Sequence, residues 1–430
     1  MNGVEIGELD KVRGGGMTYS YNRDWLNNPA KRPISLSMPL STSTYSGHEV
    51  YNYFDNLLPD NHVIRERVLA KFKVPVDHPF DILVAIGQDC VGAIQLLSER
   101  TEYIPEIEAS ALSEHDVANQ LRHYRENPLG MNEDIDFRIS LAGVQEKTAL
   151  LYKDGYWLLP NGATPTTHIL KLPVGVIQNS SGNIDLTGSC DNEWTCLEII
   201  RHFDIPTAKA KVENFEDQRV LAVERFDRRW TSNQDWVLRL PQEDFCQAMN
   251  LPSSKKYQAD HGPDMADCLY LLQDSANSYK DRVHFLKTQV LFFLLSAPDG
   301  HAKNFSIHLQ PGDNFSLTPV YDVLSIYPIM NNQLKHRAKL AMGWMGTTKG
   351  YRYKMQEIQL RHILFTSKKL GLLDEVNAFI SDIEALTLHA VTLTEVQAKS
   401  QEIDMKIAKP ILEQTYAKAK WLQNVYERIQ

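Results

Sequence analysis

The stretch APDGHAKNFSIHLQPGDNFSLTPVYDVLS, residues 297–325, holds a carboxylate, an imidazole, an ammonium and a carboxamide at Asp299, His301, Lys303 and Asn304, then a second carboxylate at Asp322. A carboxylate can accept the proton of an attacking hydroxyl. A carboxamide and a second carboxylate offer oxygen ligands of the kind Mg2+ takes, with water and phosphate oxygens completing its shell. Phosphoryl transfer is the chemistry that uses these parts together, and the step of five from Asp299 to Asn304 matches the protein-kinase pattern HRDxxxxN. Each residue also has a plainer reading: PDGH as a polar turn, His301 as a brace for the loop, Lys303 as a solvated charge, Asp322 as a helix cap.

Phosphoryl transfer further requires backbone N–H groups around the phosphates and a lysine that reaches them. The segment SLAGVQEKTALLY offers Gly143 between two strand-like runs, with Gln145 and Lys147 close behind. It is neither GxxxxGK[ST] nor GxGxxG, so by itself it also fits an ordinary hairpin. Lys171 ends the apolar run THILKLP, where an ammonium needs a phosphate or carboxylate beside it. Glu193 is the candidate carboxylate partner, by analogy with the kinase Lys/Glu pair.

Which elements hold these residues follows from periodicity. Residues up to about Leu97 show short alternating segments, YSYNRDWL and PISLSMPL, followed by a helical pattern over YNYFDNLLPDNHVIRERVLAKF. Between Phe137 and Leu240, strand-like runs flank one helix, DNEWTCLEIIRHFD, with Ser189 and Asp191 as candidate caps. After Glu243 the strand signals thin out, and DRVHFLKTQVLFFLLSA, LRHILFTSKKLGLL, EVNAFISDIEALTLHA and KIAKPILEQTYAKAKWLQNVYERI read as helices. The expected fold class is therefore α+β in two lobes: a β-rich lobe over 1–245 carrying the phosphate loop and lysine, and a helical lobe over 246–430 carrying the catalytic and magnesium loop.

Composition narrows the function classes. With 45 basic and 54 acidic residues, net −9, the chain does not coat nucleic acid or anionic lipid by global charge. The five cysteines (Cys90, Cys190, Cys196, Cys246, Cys268) lack CxxC spacing, which argues against a disulfide framework or zinc site. The amino terminus does not read as a secretory signal, and VLFFLLSA is too short to span a bilayer, so a cytoplasmic protein without membrane contact is expected.

The segments FDNLLPDN, FRISLAGVQEKTALL, TPTTHILKLP, DNEWTCL, LAVERFDRRW, RLPQEDFCQA, DGHAKNFS and TPVYDVLS together closely resemble the HipA family, the serine/threonine kinase toxins of HipA/HipB bacterial toxin–antitoxin modules. That resemblance runs over nearly the whole chain. It implies a two-lobed kinase-like fold related to the phosphatidylinositol-kinase type, with ATP and Mg2+ as cofactors. It assigns Asp299 as catalytic and Asn304 and Asp322 as magnesium ligands. It implies ATP contacts from Ala142, Gly143, Val144, Gln145, Glu146, Lys147, Lys171, Glu224, Arg225, Phe226, His301 and Lys303, and autophosphorylation at Ser140. Growth arrest and persistence through phosphorylation of glutamyl-tRNA synthetase are implied too. So is a HipB-type helix-turn-helix antitoxin that carries the kinase to operator DNA as a co-repressor.

Between residues 332 and 362 lie seven Lys or Arg against one acid, Glu357. Lys349, Arg352 and Lys354 are the candidate DNA contacts; a solvated loop is the alternative. Two rival functions have different requirements. A catalytically silent co-repressor that stabilises a HipB–operator complex would not need Asp299, Asn304, Asp322 or Lys171 intact. A metal-dependent hydrolase would need a carboxylate or histidine cage that no HxH or HExxH completes.

Overall fold

The computed structural model describes residues 1–98, 103–123, 141, 145–179 and 182–429. The chain forms two compact units that alternate along the sequence. One comprises 1–172, 213–253 and 306–315, the other 173–212, 254–305 and 316–430.

In the first unit, Gly7–Lys11, Met17–Tyr21 and Tyr45–Ser46 form a three-stranded antiparallel sheet. Met17, Tyr19 and Tyr21 alternate inward, as a period of two requires when one face is covered. The helices His48–Asp55 and Pro79–Ile86 bury Tyr53, Phe54, Ile82, Leu83 and Ile86 in the same core. The expected helix over residues 51–72 is two helices, His48–Asp55 and His62–Lys71, because Asn61 caps the second by accepting from Val63 N–H at 2.9 Å. PISLSMPL makes only an isolated Ser35–Met38 bridge, not a strand.

A six-stranded sheet runs in the order Ala210–Phe215, Gln218–Glu224, His168–Lys171, Lys147–Lys153, Tyr156–Pro160 and Ala109–Ala111. Its Leu150, Leu170 and Val220 join the core of the first sheet. The same unit holds a buried ion network. Asp89 accepts from Arg225 Nη1 at 3.1 Å, Arg228 Nη2 at 2.8 Å and Arg239 Nε at 2.9 Å, and Arg225 Nη2 also reaches Asp227 at 2.8 Å. Burial alone would raise the Asp89 carboxyl; the three guanidiniums outweigh it and hold it far below the usual carboxylate range.

In the second unit the helix Ser189–Arg201 is buried over nearly its whole length. Ser189 and Asp191 do not cap it; the N-cap is Gly188, with no side-chain cap bond. Instead Ser189 Oγ accepts from Val174 N–H at 2.9 Å and Asp191 Oδ1 from Asp404 N–H at 2.9 Å, so both side chains tie down distant segments. The helix Ser278–Leu295 buries Phe285, Leu286 and the whole run from Thr288 to Leu295. Leu360–Lys369, Leu373–Ser381, Ile383–Ser400 and Met405–Glu427 complete the helical part, the expected single helix over 375–390 being broken at Asp382. The carboxy-terminal third is less purely helical than its sequence suggests. Strands occur at Ser306–Gln310, Asn314–Leu317, Lys339–Met345 and Tyr351–Lys354, and the last two pair antiparallel across a bulge. Short apolar runs such as KLAMGWM carry no period that separates strand from buried helix.

Candidate active site

The helix Ser278–Leu295 ends at Ser296, which takes a left-handed φ of +50° and turns the chain into the loop that carries Asp299. Its last carbonyls are claimed by side chains from two later segments. Ser325 Oγ donates to Leu295 O at 2.6 Å, Tyr327 Oη to Leu294 O at 2.8 Å, and Lys418 Nζ to Phe293 O at 2.6 Å. Lys418 also lies 3.8 Å from the centre of the Phe293 ring, and burial lowers its ammonium to about 7. Gly300 is required by space, since a Cβ there would come within 2.3 Å of the Phe292 ring.

Within the loop, Asn304 Nδ2 donates to the Asp299 carbonyl at 2.7 Å, and His301 N–H donates to the same carbonyl at 2.8 Å. With its N–H used in this bond, the Asn304 carboxamide keeps its oxygen as an acceptor. The Asp299 carboxylate is 46% exposed, whereas His301, Lys303 and Asn304 are buried. Burial lowers the His301 imidazole, and the Asp299 and Asp322 carboxylates oppose that shift. His301 thus fits the bracing role, while the burial of Lys303 overturns the solvated-charge alternative.

Asp322 sits at φ +58°, a conformation asparagine and aspartate tolerate better than other side chains. It is not a helix cap; the segment after it is irregular up to the turn Tyr327–Ile329. The segment is fixed from both sides: Val320 accepts from Ala208 N–H at 2.8 Å, and Ser325 is bonded twice to Asn192. Asp299, His301 and Asn304 thus share the turn at one helix end, and Asp322 lies on a clamped loop that Ser325 bonds to that same helix end.

The expected phosphate-loop, lysine and adenine-side residues fall in the first unit, and Glu193 and the candidate DNA contacts in the second. Lys147 and Lys171 are direct register partners on antiparallel strands, which puts both ammonium stems on one face of the sheet. Gln145 Nε2 donates to Leu172 O, and Glu146 pairs with Arg67. Ser140, Ala142, Gly143 and Val144 fall outside the described residues. Glu224 is exposed at the end of its strand, and Phe226 packs edge-on against His308 with centroids 5.7 Å apart. The Arg225 guanidinium is enclosed by Asp89, Asp227, Thr166 Oγ1 and the Cys90 carbonyl, so its side chain is an interior cation. Lys349 and Lys354 are exposed, and Lys354 pairs with Glu357 at 3.2 Å.

Sequence reasoning missed Tyr257, whose hydroxyl donates to Asp299 Oδ1 at 2.5 Å, and Asn192. Neither has a spacing signal, because their partners lie 42 and 133 residues away. An open groove of about 1080 Å³ in the first unit contains none of the expected site residues and is lined by Glu5, Glu8, Asp10, Glu106 and Glu108, a charge that repels phosphates. Among the described residues no group of three or more His, Cys, Asp or Glu could hold a metal ion, and no helix is long and apolar enough to cross a membrane. All five cysteines are free and buried.

Comparison with known proteins gives a consistent assignment. The model of the HipA N-terminal domain matches residues 1–97, and that of the HipA-like C-terminal domain matches residues 139–390. The Sinorhizobium fredii protein Y4mE, which carries a kinase name, is 30% identical over 346 residues, covering 78% of this chain and 79% of its own. The serine/threonine-protein kinase toxin HipA of Shewanella oneidensis is 26% identical over 317 residues, 71% of this chain and 69% of that protein. The solved complex of Shewanella oneidensis HipA, HipB and operator DNA contains a chain that superposes with a TM-score of 0.79 at 22% identity, covering 99% of this chain and 96% of that one, so the fold is shared. On the breadth of these family-model matches and the similarity to Y4mE, the chain belongs to the HipA family.

Proposed function

We propose that this chain is a serine/threonine protein kinase that moves the γ-phosphoryl group of ATP to a protein hydroxyl, as the toxin of a HipA/HipB-type module. The observation that carries this reading is the Asn304 carboxamide bonded to the Asp299 carbonyl at 2.7 Å, which holds a residue with a half-exposed carboxylate and a residue with an amide oxygen in one turn. The family's kinase names and the HipA toxin relative support it.

The donor set fits a hard cation: a carboxamide oxygen at Asn304 and a carboxylate at Asp322, both oxygen donors, with too few carboxylates for an all-protein cage. Mg2+ held there with the nucleotide would neutralise the phosphate oxygens. Asp299 accepts the proton of the serine or threonine hydroxyl as its oxygen bonds to the γ-phosphorus. The bond from that phosphorus to the β,γ-bridging oxygen breaks, and ADP leaves with the electron pair. The buried His301 braces this loop, and Lys303 lies beside it. Lys171, with Lys147 on the same sheet face, concentrates positive charge for the phosphates; Gln145 and Glu146 continue the phosphate loop, and Glu224 and Phe226 serve the adenine.

The finer assignments are part of the same proposal: Ser140 as autophosphorylation site, glutamyl-tRNA synthetase as acceptor, a HipB-type antitoxin as partner, and Lys349, Arg352 and Lys354 as operator contacts within that complex. Incubating the chain with γ-labelled ATP and Mg2+, followed by peptide mapping, tests the core of it. Label transfer that Asp299→Asn abolishes, with ATP binding retained, is the expected result. No transfer by the wild-type chain to itself or to the synthetase, with intact operator binding alongside HipB, would favour the silent co-repressor instead.

A further inference from the structure

A general base must present one oxygen at a defined place, yet the Asp299 carboxylate is 46% exposed, and an exposed carboxylate samples several rotamers. His301 does not hold it: Nε2 stands 3.9 Å from Oδ1, too far for a hydrogen bond. The Tyr257 hydroxyl does, at 2.5 Å from that same oxygen.

Tyr257 is itself anchored. Its ring meets the buried His301 edge-on, centroids 4.8 Å apart at 82°. The backbone on either side is tied into the site: Lys256 O accepts from Ala302 N–H at 3.2 Å, and Tyr257 O from Gly262 N–H at 2.9 Å. Gln258 Oε1 accepts from Gly343 N–H at 2.8 Å, which joins the segment to the strand Lys339–Met345. The hydroxyl therefore arrives on a fixed platform, not on a mobile side chain.

We propose that Tyr257 is a positioning residue for phosphoryl transfer: its hydroxyl fixes Oδ1 of Asp299, so that Oδ2 is the oxygen presented to the acceptor hydroxyl. The inference rests on the reading of Asp299 as the base. A hydrogen bond to a charged group is worth about 1.5–3 kcal/mol, which sets the scale of the expected rate effect at roughly ten- to hundred-fold. The opposite role, a hydroxyl that occupies the acceptor's place and blocks the base, predicts a rate change of opposite sign.

The test is Tyr257→Phe in the full chain, which keeps the ring and its contact with His301. Turnover of MgATP, followed as ADP release, requires no knowledge of the acceptor. The expected result is a kcat at least about ten-fold lower, with the KM for ATP and the melting midpoint unchanged. An unchanged kcat overturns the assignment, and a raised kcat overturns it in favour of the blocking role. A fall in kcat that comes with a raised KM and a lowered melting midpoint also overturns it, because general loosening then accounts for the loss. Asp299→Asn run in parallel separates the two layers. If that variant turns over at the wild-type rate, the base reading itself fails; if it is inactive while Tyr257→Phe is normal, only the role of the tyrosine fails.

Discussion

Asn192 and Ser325 exchange two hydrogen bonds: Ser325 N–H donates to Asn192 Oδ1 at 2.8 Å, and Asn192 Nδ2 donates to Ser325 O at 2.7 Å. Both residues are buried, and the pair fastens the loop that carries Asp322 to the helix Ser189–Arg201. Ser325 then bonds Leu295 O, so one serine links this loop to the helix end that launches Asp299.

Asn192→Ala removes both bonds and leaves a buried N–H and C=O on Ser325 without partners. A loss of about 2–4 kcal/mol in unfolding free energy is expected, measured by denaturant titration. Because the Asp322 loop is loosened, affinity for a non-hydrolysable ATP analogue should fall in the presence of Mg2+ and change little without it.

Asp322→Asn keeps a side chain that tolerates φ +58°, so the backbone is spared while the anionic oxygen is lost. Calorimetric titration with the same analogue should show Mg2+-dependent binding weakened in this variant and in Asn304→Ala, with the melting midpoint of Asp322→Asn close to wild type. Equal affinities in all three proteins would remove the metal role from both residues.

Asp89→Ala leaves Arg225, Arg228 and Arg239 buried around a single remaining carboxylate, Asp227. Breaking a buried ion group from one side costs about 3–5 kcal/mol, so the variant should melt far below wild type. Asp89 lies in the segment matched by the HipA N-terminal domain and the three arginines in that matched by the C-terminal domain, so this loss would measure how firmly the two matched segments hold each other.

Glu243 is fully buried, and burial raises its carboxyl to about 8 while Oε1 accepts from Leu36 N–H at 2.8 Å. An unfolded glutamate titrates near ~4.3, so between these values the native state keeps a proton that the unfolded chain has lost. The contribution of this group to stability is therefore greatest below the lower value and declines until pH passes the upper one. Glu243→Gln keeps the acceptor for Leu36 and removes the titration. It should match wild type near pH 4 and exceed it by about 3 kcal/mol at pH 7, and parallel stability curves across that range would overturn the assignment.

The grouping of the candidate residues was legible in the sequence because it is local. Asp299, His301, Lys303 and Asn304 share one short turn, and five residues of chain cannot carry the first far from the last. The helix Met405–Glu427 was legible for the same reason, since its apolar spacing repeats along a single element. What only the tertiary structure decided is which side chains from elsewhere meet these residues. Tyr257 on Asp299, Asn192 on Ser325 and Arg225 turned into an interior ion network all depend on segments 42 to 136 residues apart coming together. Residue type sets what a group can do; packing between distant segments sets whether it faces a substrate, a helix end or the core, and no spacing along the chain records that.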